Sequence, residues 1–61
     1  MTIFVEWNEA FEHYEVSQAG GMGILTTRNT RSAAVSAARQ YADRGEDIAV
    51  KGPRSRSFKQ V

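Results

Sequence analysis

Cysteine is absent from this chain, which removes disulfide bridges and thiolate metal sites at a stroke. Histidine occurs once, at His13, and aspartate only at Asp43 and Asp47. Nucleophilic catalysis needs a nucleophile, a base within hydrogen-bond reach and a group that orients the base, and so meagre a set points away from an enzyme. Metal binding fares no better. There is no Glu-x-x-His or paired-His spacing, and Glu9, Glu12 and His13 would share a surface only if that region were helical. No cofactor motif is present either.

Long apolar runs are missing too. Nothing approaches the ~18 residues that span a bilayer, and no charged leader precedes an apolar core, so the expectation is a cytoplasmic protein with no membrane contact. Proline appears once, at Pro53. The 61 residues make one domain, 1–61, and a chain of that size buries only about 60% of the surface it exposes when unfolded. Its stability should be a few kcal/mol at most, which makes a homodimer worth considering.

What is present begins with residues 31–45, RSAAVSAARQYADRG, the one stretch whose apolar residues recur at helical spacing. Ala34, Val35, Ala38, Tyr41 and Ala42 fall on one side, while Ser36, Gln40 and Asp43 fall on the other. Thr30 is the expected N-cap, without the acidic partner of a capping box, and Gly45 is the expected stop. Because the buried stripe is mostly alanine, Tyr41 is expected to supply much of the grip on whatever the helix covers.

The remainder reads as strands. Residues 2–7, TIFVEW, alternate Ile3, Val5 and Trp7 against Thr2, Phe4 and Glu6. Residues 8–10 make a short polar connection, and 11–18, FEHYEVSQ, return with Tyr14 and Val16 inward. A helix over 8–19 is the competing reading. Ala19-Gly20-Gly21-Met22-Gly23 is a turn; as a phosphate cradle it fails, because it leads into the strand-like 24–27, ILTT, and not into a helix. After the helix, 48–51 form a strand, Gly52-Pro53 turn the chain, and 57–60 form a final edge strand with Phe58 packed inward, or else a mobile basic tail. The layout is β-β-β-α-β-β: an α+β fold with a small antiparallel-rich sheet and one helix packed on one face.

Several of these features together resemble a family of small uncharacterised bacterial and phage domains. They are the aromatic-bearing N-terminal hairpin, the third strand ending in a Thr-rich turn, the A-x-x-A-A-R helix core from Ala34 to Arg39, and the strand closing on Lys51-Gly52 before a basic hairpin. The chain departs from that pattern at Pro53-Arg54, where the family has a closing glycine. In size and style, though in no motif, it is also similar to the phage-encoded anti-CRISPR proteins. That likeness implies a phage-type inhibitor acting in the host cytoplasm, with a bacterial defence complex as its partner.

Two surfaces are candidate sites. One helix covers one side of a sheet, which leaves Phe4, Phe11 and His13 on the other as a partner-binding patch. The second comes from charge. Residues 1–27 hold four glutamates and no Lys or Arg, a charge of −4, whereas 28–61 hold eight basic against three acidic residues, a charge of +5. Arg28, Arg31, Arg54, Arg56 and Lys59 would make one phosphate-binding patch if the last two strands lay beside the helix start. The leading expectation is a non-catalytic protein-binding inhibitor acting by surface occlusion. The alternative is a small nucleic-acid-binding regulator using the basic patch.

Overall fold

The computed structural model describes residues 2–21, 23–42 and 45–61, so Met22 of the glycine turn and Asp43 of the expected helix lie outside it. Five strands, β1 (Thr2–Asn8), β2 (His13–Gln18), β3 (Ile24–Arg28), β4 (Asp47–Lys51) and β5 (Lys59–Gln60), form one sheet in the order β3-β2-β1-β4-β5. Helix α1 (Arg31–Tyr41) connects β3 to β4 across one face. Three of the four pairings are antiparallel, and β1 with β4 is parallel. The expected α+β class and element order stand.

The alternation read from the sequence is the one that builds the core. Ile3, Val5, Tyr14, Val16, Ile48 and Val50 are buried beneath Ala34 and Ala38 of the helix, with Trp7 packed against them. Directly opposed on β1 and β2, the Trp7 and Tyr14 rings meet edge to face with centroids 4.9 Å apart. Aromatics on the sheet therefore fill the space that a stripe of alanines leaves open.

The helix keeps its expected start. The Thr30 hydroxyl accepts from Ala33 N–H at 3.2 Å, and no acidic residue occupies the first turn. Its other end differs from expectation. It stops at Tyr41, with Ala42 as an extended C-cap whose N–H donates to Ala38 C=O at 2.9 Å, and Gly45, at φ +89°, turns the chain beyond it. Tyr41 itself is 47% exposed, and the buried helix residues are Ala34, Ala37 and Ala38. The alanines make the contact with the sheet, and the Tyr41 ring in the last turn stays at the margin.

Two further expectations are corrected at the hairpins. β2 begins at His13 and not at Phe11, because residues 9–12 form the turn, with Glu12 in the left-handed region at φ 52°. Asn8 accepts from the N–H groups of Ala10 and Phe11 through Oδ1 at the head of that turn, and the helical alternative for 8–19 is excluded by the pairing of β2 with β1 and β3. At the other end, Phe58 precedes β5 and packs on the helix-free side against Phe4, not inward under the helix. On the far edge, the β2–β3 pairing shifts between Val16 and Ser17, leaving Leu25 as the additional residue.

Candidate functional site

Register places one set of side chains on the sheet face away from α1. Glu6 lies beside Lys51 on β4 and Glu15 on β2, and Glu15 lies beside Thr27 on β3, giving a lateral row of charge. One step toward the hairpin turn, Asn8 is opposite His13; two residues the other way along β1, Phe4 sits between Ala49 and Ser17. Each candidate of the patch is thus located, but Phe4 and Phe11 are not neighbours. Phe11 belongs to the turn at the Asn8 end, and four residues of strand put the Phe4 and Asn8 positions about 13 Å apart.

Two aromatic units result in place of one patch. Phe4 is half-buried by Phe58, centroids 4.9 Å apart, with Lys51 Nζ 5.9 Å above the Phe58 ring. Phe11 is 73% exposed and stacks on the His13 ring, centroids 5.7 Å apart and planes 20° from parallel. Between them runs the polar network. Asn8 Nδ2 donates to Glu15 Oε2 at 2.8 Å, His13 Nε2 meets the same oxygen at 3.2 Å, and Lys51 lies 3.8 Å from Glu6. The Asn8 hydrogen bond, with His13 second, holds the Glu15 carboxyl below the usual carboxylate range.

His13 has Glu15 as its one hydrogen-bond partner among the described residues, so no nucleophile is engaged by the imidazole. Among the same residues no three His, Asp or Glu side chains gather where they could hold a metal ion. No described helix is long and apolar enough to cross a membrane.

The basic residues gather on the helix side. A cleft of about 390 Å³ opens between the start of α1 and the β4–β5 connection, lined by Tyr14, Arg31, Val50, Gly52, Pro53, Arg54, Ser55 and Lys59. Parallel entry of β4 beside β1 carries the chain end back to the helix start, and sequence periodicity holds no signal for that. Three of the five predicted basic residues therefore converge. Arg28 shares Tyr14's row on the neighbouring strand but turns its guanidinium to Thr26 Oγ1 and, at 2.6 Å, to Thr27 C=O. Arg56 is exposed outside the cleft. The residues that sequence reasoning missed are Tyr14, Ser55 and Lys51.

No protein-family model, curated protein or solved structure matches this chain.

Proposed function

We propose that this chain is a small non-catalytic protein-binding module that inhibits a larger bacterial complex by occupying its surface, a defence complex of the CRISPR type being the target. The observation that carries the reading is the uncovered sheet face, with its exposed Phe11–His13 stack, its Phe4–Phe58 pair and the acidic row between them. Aromatic side chains ringed by polar ones are the usual makings of a protein contact.

Charge selects the kind of partner. Glu6, Glu15 and Asp47 lie on this face against Lys51, and the adjoining turn adds Glu9 and Glu12. Such a surface repels nucleic acid and fits a basic protein surface. A second copy is a poor occupant, because two-fold contact would set the glutamates of one chain against those of the other. Size sets a further condition. Five strands at about 4.8 Å spacing and some six residues of length give roughly 400 Å², half the ~800 Å² per partner of a standard interface. The turn bearing Phe11 must therefore enter the contact.

Mixing the chain with a purified CRISPR surveillance complex, with co-elution and target-DNA cleavage as readouts, tests the reading. Co-elution with loss of cleavage, both abolished by Phe11→Ala, is expected. A chain that neither co-elutes nor alters interference defeats it.

A further inference from the structure

We infer that the cleft between the start of α1 and the β4–β5 connection binds the phosphodiester backbone of a nucleic-acid strand. This site lies on the opposite side of the sheet from the docking face proposed above and stands independently of it.

Three observations converge there. First, Arg31, Arg54 and Lys59 line one cleft, no carboxylate lines it, and none of the three has an ion-pair partner among the described residues. Like charges brought together from a helix, a loop and an edge strand repel one another. Among the described residues no carboxylate pairs with them, and an anion would compensate them. Second, Tyr14 is 8% exposed and lines the same cleft, yet its hydroxyl has no hydrogen-bond partner among the described residues. That oxygen is not among the sealed, unsatisfied atoms, so it keeps some access to solvent. A phenol donor in a cleft of cations is what a phosphate oxygen requires. Third, Arg31 is the first residue of an eleven-residue helix whose free N–H groups add partial positive charge at the same place.

The extent of the charge argues for a strand and not a lone phosphate. Arg28 lies in Tyr14's row on edge strand β3, Arg31 at the helix start, Arg54 on the loop, and Lys59 on edge strand β5. The cleft's three cations and, outside it, Arg28, whose guanidinium is turned to Thr26 and Thr27, thus mark out a sheet width of about 19 Å for five strands. That is the reach of several nucleotides, whereas one phosphate would engage a single pair of cations. No Asn, Gln, Asp or Glu lines the cleft and its cations are assigned to phosphate oxygens, so binding is expected to be indifferent to sequence.

The test is fluorescence anisotropy of a dye-labelled single-stranded 15-nucleotide DNA at low ionic strength, with the emission of Trp7, which packs on Tyr14, as a second signal. Affinity should fall with salt at a logarithmic slope near −2 to −3, as three or four cation contacts require. Arg31→Ala with Arg54→Ala should weaken binding at least tenfold. Tyr14→Phe keeps the ring and should weaken it two- to fivefold with no loss of thermal stability. Arg39→Ala, on α1 outside the cleft, should change it less than twofold. Absence of binding at low salt, or equal losses from Arg39→Ala and the cleft variants, overturns the inference. So does competition by inorganic phosphate or by polyglutamate at the same charge concentration as unlabelled DNA, which would make the cleft a small-anion or acidic-peptide site.

Discussion

Phe58 lies against Phe4 on the side of the sheet that the helix does not cover, the ring centroids 4.9 Å apart and the planes inclined by 59°. The contact fastens the shortest strand, since β5 has two residues and pairs with β4 only at Ala49–Gln60 and Val50–Lys59, continued by Val61 N–H to Ile48 C=O at 2.9 Å. Truncating Phe58 to Ala should cost at least about 1 kcal/mol, the worth of the aromatic pair, with the area its ring buries adding to that. The loss should be local. Hydrogen exchange at the Val61 amide should quicken about tenfold or more while Val5 and Val16 keep their protection.

Tyr41 and Ile3 make opposite predictions. Because Tyr41 is nearly half exposed, Tyr41→Ala should cost less than about 1 kcal/mol in urea denaturation, although its position on the helical stripe suggests more. Ile3 is fully buried, and Ile3→Ala should cost about 2–5 kcal/mol, enough to unfold a domain this small. Ile3→Val, at about 1 kcal/mol, keeps the comparison measurable.

Glu15 sets a pH dependence. Its folded carboxyl titrates below the ordinary range because Asn8 and then His13 bond the charged form. The stabilisation is therefore present above the unfolded carboxylate pKa and is lost as pH falls from there through the lowered folded value. Carboxyl NMR titration should find Glu15 below the ordinary glutamate range, and Asn8→Ala should move it back upward. Acid unfolding of Glu15→Gln should lack this component.

Glu12 holds a left-handed backbone at φ 52° with no glycine to ease it. Asparagine tolerates that conformation better. Glu12→Asn should stabilise the chain by a few tenths of a kcal/mol up to about 1 kcal/mol, measured by the thermal midpoint.

The fold was largely legible because alternation at Ile3, Val5 and Trp7, and again at Tyr14 and Val16, needs no tertiary information to indicate a face. Thr30 was legible for a similar local reason. Three features were not. A turn closed by Glu12 lacks the glycine that marks left-handed backbone, so Phe11 reads as strand when it is turn. Helical angle places Tyr41 on the buried side, but burial also depends on whether the sheet extends beneath the last turn. Parallel pairing of β4 with β1 decides that Arg54 and Lys59 meet Arg31, and strand order leaves no trace in hydropathy. The split of charge between chain halves did foreshadow an acidic face and a basic cleft. It did so because β1, β2 and the turn between them carry four of the five glutamates, while the cleft draws its cations from the helix start and the chain end.

The central claim is that the helix-free face, and not the basic cleft, is the docking surface. Phage plaquing on a host with active CRISPR immunity, expressing either the wild-type chain or Phe11→Ala shown by circular dichroism to be folded, addresses it most directly. Plaquing restored by wild type and by the Arg54→Ala variant, and lost with Phe11→Ala, is the predicted result. No restoration by wild type, or restoration that survives Phe11→Ala and disappears with Arg54→Ala, would contradict it.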